Sequence, residues 1–133
     1  MTVSPIIGRN YLKPAENEKV PIVVLDFKKV YACWLPGLRK TLYFEEEPKT
    51  EELKRVRDVF LLEVFSRESK YMIELIPEDF EAFEIIYSLF STYGGEIYFS
   101  QQKTGRRMKK IFDFKPKGKE KTDLRKYFLN DAV

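Results

Sequence analysis

Eleven basic side chains crowd into residues 103 to 126: Lys103, Arg106, Arg107, Lys109, Lys110, Lys115, Lys117, Lys119, Lys121, Arg125 and Lys126. Only Asp113, Glu120 and Asp123 oppose them, so this stretch carries +8 and the rest of the chain −5. Immediately upstream, residues 71 to 102 hold six acids and no Lys or Arg. Such polarity inside a net charge of +3 is the footprint of a polyanion-binding face, with the acidic remainder limiting promiscuous association. Rings accompany the cations. Tyr98 alternates with Ser100 and Gln102, and Tyr43 alternates with Arg39 and Thr41; Trp34 or Tyr31 would extend the same platform. Cations that track phosphates, beside rings on which bases stack, are the chemistry of single-stranded nucleic-acid binding. The expected site is therefore Tyr98, Arg106, Arg107, Lys109 and Lys110, joined by Lys103, Tyr43 and Arg39, and the expected partner is single-stranded DNA or RNA held with low sequence specificity.

Other chemistries are poorly supplied. Among 133 residues there is no histidine, which removes the commonest general base, the imidazole metal ligand and every His-dependent triad. The lone Cys33 has no partner for an intramolecular disulfide and no histidine to activate it. No cofactor or resident metal is expected. Val23-Val24-Leu25-Asp26-Phe27-Lys28 and Ile111-Phe112-Asp113-Phe114-Lys115 each end an apolar strand in acid-x-Lys, and this resembles half of the metal-dependent restriction-type nuclease core. The resemblance implies carboxylates on Mg²⁺ and a lysine beside the attacking water. A second acid is needed: Glu96 for Asp113 and Lys115, Glu16 or Glu18 for Asp26 and Lys28. A third reading is a homodimeric adaptor that docks through Leu124, Tyr127 and Phe128.

Composition bounds the rest. A chain of this length is expected to form one domain. Scarce amides beside abundant Lys, Arg, Glu, Phe and Tyr are the bias associated with thermophiles. Met1 to Pro5 lack the basic-then-apolar pattern of a signal peptide, and no apolar run approaches the roughly 18 residues of a membrane span, so a cytoplasmic protein without a membrane partner is expected.

The elements that must position these groups follow from pattern. Residues 1–19 read as an irregular arm, 20–116 as the core domain, and 117–133 as a basic linker with a short helix capped by Thr122-Asp123. Val20 to Phe27 and Val30 to Leu35 read as strands, followed by a turn at Pro36-Gly37. Leu38 to Glu46 is then a strand with Leu38, Leu42 and Phe44 inward and Arg39, Thr41 and Tyr43 outward. Thr50-Glu51-Glu52 opens a helix whose stripe is Leu53, Val56, Phe60 and Val64, although Val59 to Phe65 also suits a strand. Tyr71 to Ile76 is a strand. Pro77-Glu78-Asp79 opens a helix that Gly94-Gly95 closes, with Phe80, Phe83, Tyr87 and Phe90 as its core stripe. Glu96 to Gln102 and Arg107 to Phe114 form a hairpin around Thr104-Gly105, with Ile97, Phe99, Met108, Phe112 and Phe114 on one face. The expected fold is α+β: an antiparallel sheet of five or six strands, two main helices on one face, and a short C-terminal helix.

Overall fold

The computed structural model of the chain describes residues 5–48 and 56–117. Strands take up 56% of it and helix 16%, with one helix among the described residues. The expected α+β fold with two main helices is therefore replaced by a mostly antiparallel β structure. The helix start at Thr50 and the C-terminal segment from 118, with its short helix and proposed dimer contacts, lie outside the described residues.

The described residues divide into two compact units, one formed by residues 5–13, 24–48 and 56–80, the other by residues 14–23 and 81–117. In the first unit the strands are β1 (Ile6–Ile7), β2 (Val20–Leu35, from Val24 on), β3 (Lys40–Phe44), β4 (Arg57–Ser66) and β5 (Ser69–Leu75), in the order β1-β3-β2-β4-β5. β1 lies antiparallel to β3 with Ile6 opposite Tyr43. The same N-terminal segment then reaches the far edge. Met72 of β5 donates its N–H to the Asn10 carbonyl at 2.9 Å, and Leu12 donates back to Met72 at 3.0 Å. The segment thus pairs with both edge strands and closes the sheet around a core of Val30, Ala32, Tyr43, Val59 and Leu61, with Ile6, Tyr11 and Met72 packed against it.

The two strands expected within 20–35 are one strand of 16 residues. The helix expected to run through Phe60 and Val64 is strand β4. Val59 and Leu61 face the enclosed core, while Leu62 and Val64 are fully buried on the opposite side and the Phe60 ring stacks on Phe80 at 3.7 Å. A strand covered on both faces loses its alternation, and its apolar residues then imitate helical spacing.

The second unit holds the start of β2, the helix α1 (Pro77–Tyr93, from Glu81 on), and β6 (Glu96–Thr104) paired with β7 (Arg107–Lys115). Val20, Ile22, Ile97, Phe99 and Phe83 are buried, and the Phe112 ring lies 5.0 Å from Phe83 and 5.2 Å from Phe99. Of the aromatic stripe expected as core on α1, Phe80 and Phe83 are buried, while Tyr87 and Phe90 are half-buried. The helix spans the expected residues and ends at the expected glycines: Gly94 donates to the Phe90 carbonyl at 2.8 Å, with φ of 71° at Gly94 and 117° at Gly95.

Candidate nucleic-acid interface

β2 pairs with β6 over Ile97 to Phe99. Beyond Phe99, β6 and β7 continue as a two-stranded ribbon that carries Lys103, Arg106, Arg107, Lys109 and Lys110 within eight residues. No acid occurs between Ile97 and Phe112. Lys103, Arg106 and Lys109 are exposed, and Arg107 and Lys110 are half-buried.

The register differs from expectation in an informative way. The two loop residues are Gly105 and Arg106, not Thr104 and Gly105, because Thr104 pairs with Arg107. Gly105 takes a φ of 65° while Arg106 does not enter the left-handed region, the pattern of a type II′ hairpin turn. The expected register would set Lys103 opposite Arg106. The observed one sets each paired cation against a neutral residue: Arg107 against Thr104, Lys109 against Gln102, Lys110 against Gln101, and Lys103 against Met108. Direct like-charge pairs are thereby avoided. Because the shift moves each partner by two residues, the faces stay as read: Arg107 and Lys109 share one face with Tyr98, and Lys103 and Lys110 share the other with Ile97 and Phe99.

The expected aromatic partners are not beside these cations. Tyr98 stands opposite Asp113 on β7 and Pro21 on β2, four residues down the strand from the Gln102–Lys109 pair, about 13 Å at strand rise. Its phenol donates to the Glu96 carboxylate, a hydrogen bond that raises its pKa. Tyr43 belongs to the first unit and is 1% exposed. It donates to Glu74 at 2.7 Å, and Tyr11 donates to it at 2.6 Å, while Arg57 braces Glu74 from 3.3 Å. The inward and outward faces expected for residues 38 to 46 are therefore reversed at Tyr43, because its hydroxyl finds buried partners on strands distant in sequence. Burial first, then these neighbours, hold the Tyr43 phenol far above its usual pKa, and burial raises Tyr11 as well.

Arg39 is exposed in the β2–β3 turn, where it takes the left-handed φ of 52° in place of Gly37. Tyr31 is half-buried, with the Lys29 ammonium 5.5 Å from its ring centre. Trp34 is 52% exposed. Of the eight expected site residues, five thus gather on one ribbon, Tyr98 lies at its base, and Arg39 and Tyr43 belong to the other unit.

The acid-x-Lys segments have different surroundings. Glu96 pairs directly with Lys115 across β6 and β7, but Glu96 accepts from Tyr98, and Asp113 pairs with Lys19 at 3.3 Å. In the first unit, Asp26 and Lys28 line a cavity of about 490 Å³ together with Arg9, Glu63, Lys70 and Tyr71. Glu63 is an acid of the same unit that lines this cavity with Asp26. Lys28 is paired with Glu45 at 2.9 Å and Glu63 with Lys70 at 3.6 Å. No cluster of three or more metal-ligating side chains occurs among the described residues, and no described helix is long and apolar enough to cross a membrane. No protein-family model matches the sequence, and no curated protein or solved structure matches it significantly.

Proposed function

We propose that the chain binds nucleic acid with low sequence specificity, through phosphate contacts made by the β6–β7 ribbon. The observation that carries this reading is the acid-free ribbon of five cations, each paired one set against a neutral residue. Folding gains little from such a concentration of like charge, whereas a polyanion gains one released counterion per neutralised phosphate. Hydrogen-bonding side chains at Gln101, Gln102 and Thr104 lie among the cations and suit sugar and phosphate oxygens. Fluorescence anisotropy of a labelled oligonucleotide, titrated from 50 to 300 mM salt, tests it. Five phosphate contacts give a log–log salt slope of about −3 to −4 for a single strand; affinity that is absent at low salt, or indifferent to salt, removes the reading.

A second reading, metal-dependent cleavage, is favoured by one observation: Asp26, Lys28 and Glu63 line one cavity. Carboxylates there would hold Mg²⁺ and the lysine would polarise water. Magnesium-dependent cleavage of an oligonucleotide that disappears in Asp26→Ala supports it, and the absence of cleavage by the unaltered protein ends it.

A further inference from the structure

We infer that the β2–β3 hairpin tip of the first unit is a base-stacking site, with Trp34 as the stacking ring, and that the nucleic acid it takes is single-stranded. This rests on the nucleic-acid reading above and adds a second contact point, on the other unit, that takes a base. Trp34 is the sole tryptophan, and tryptophan is a residue that folding usually covers. Here 52% of it is exposed at the end of β2, and Leu38 in the following turn is 64% exposed, so the tip presents apolar surface to water. The other rings near the tip are occupied. Tyr43 is buried and hydrogen-bonded, and Tyr31 lies under Lys29.

Charge selects the partner. From Phe27 to Phe44 the chain has Lys28, Lys29, Arg39 and Lys40 and no Asp or Glu. Lys28 and Lys29 are engaged with Glu45 and Asp58, whereas Arg39 and Lys40 are exposed and make no ion pair among the described residues. The turn is closed by Leu38 donating to the Leu35 carbonyl at 3.2 Å and Arg39 donating to Pro36 at 3.3 Å. It holds Arg39 in the left-handed conformation that glycine would adopt more easily. A cation kept where glycine is the easier choice, two residues after a glycine that does not take that conformation, fits a tip used for contact. Lys40, opposite Leu35, lies on the other face of the hairpin from Trp34, so the cation of the ring's own tip is Arg39 in the turn. An exposed ring with a cation in the adjoining turn is a combination that grips a strand by one base and a phosphate. Stacking on the ring needs an unstacked base, which a single strand offers and a closed duplex does not.

The sole tryptophan also makes its own reporter. In the full chain, oligo(dT) should quench Trp34 fluorescence in step with the anisotropy of the labelled strand. Trp34→Ala should lose about tenfold in affinity for the single strand and little for a duplex of equal length, with Trp34→Phe in between. Anisotropy change without quenching, with Trp34→Ala binding as the unaltered protein does, overturns stacking and leaves the ribbon reading standing. No anisotropy change with any oligonucleotide removes both. A blue shift with phosphatidylserine vesicles, in the absence of quenching by oligo(dT), assigns the tip to a lipid surface and also overturns the inference.

Discussion

Tyr43 donates its phenol proton to the carboxylate of Glu74 at 2.7 Å inside the enclosed sheet, 31 residues away in sequence. Its own oxygen accepts from Tyr11, so three polar side chains satisfy one another in an otherwise apolar core. Tyr43→Phe leaves the carboxylate short of one donor and Tyr11 short of an acceptor, and should cost about 1 to 3 kcal/mol. Urea denaturation measures it.

The same pair dictates an alkaline limit. Both phenols are raised in the folded state from the ordinary value of 10.0, by burial above all. The folded chain therefore keeps protons that the unfolded chain releases above pH 10. Their stabilising contribution is intact below that pH and falls as pH rises beyond it, by up to about 1.4 kcal/mol per pH unit for each tyrosine. Stability measured between pH 8 and 11 should decline less steeply in Tyr43→Phe. Equal slopes would contradict the assignment.

Lys103, Arg106 and Lys109 are exposed on the ribbon, so replacing all three with Ala should change folding stability by little, about 0.5 kcal/mol or less per site. Binding should change a great deal. The log–log salt slope for a single strand should fall by about 2, with affinity at low salt reduced at least about tenfold. Unchanged slope with intact folding would count against phosphate contact at these positions.

Gly8 sits where a Cβ would stand 1.9 Å from the Tyr11 hydroxyl and 3.0 Å from the Thr41 carbonyl. Gly8→Ala must push the Tyr11 ring from its bond with Tyr43, at a cost of about 1 to 3 kcal/mol. Because the obstacle is a hydroxyl, combining it with Tyr11→Phe should recover part of that loss. A double-mutant cycle with no coupling would show that the clash is relieved elsewhere.

Gly94 and Gly95 make a contrasting pair. Gly94 has open space around its missing Cβ, so Gly94→Ala carries the left-handed penalty alone, about 1 to 2 kcal/mol. At Gly95 a Cβ would come within 2.3 Å of the Lys115 carbonyl, a backbone atom held in the β6–β7 ladder. Thermal melts should therefore rank Gly95→Ala below Gly94→Ala; the reverse order would mean that β7 yields at its end.

What was legible in the sequence was local. Pro77 with Glu78-Asp79 at one end and Gly94-Gly95 at the other bound α1 correctly, and alternation put Ile97, Phe99 and Phe112 on the buried side of their hairpin. What was hidden depended on distant partners. Val59 to Val64 is a strand because both of its faces are covered, and no periodicity within it records that. Tyr43 looked like a surface ring because Arg39 and Thr41 flank it at strand spacing, while the Glu74 and Tyr11 groups that make its burial tolerable lie tens of residues away. The ribbon cations were visible as a charge run, but their register followed from Gly105 taking the first turn position.

The N-terminal segment that joins both edges of the first unit's sheet also orders the events of folding. Tyr11 bridges to Met72 across 61 residues of chain, whereas β4 and β5 meet through the tight connection between Ser66 and Ser69. Short loops close at less entropic cost than long ones, so the hairpins are expected to assemble first and residues 6–12 to clasp them last. Until that clasp forms, β3 and β5 are open strand edges able to recruit a neighbouring chain. Residues 6–12 therefore cover strand edges that would otherwise be open to a neighbouring chain, as well as completing the core.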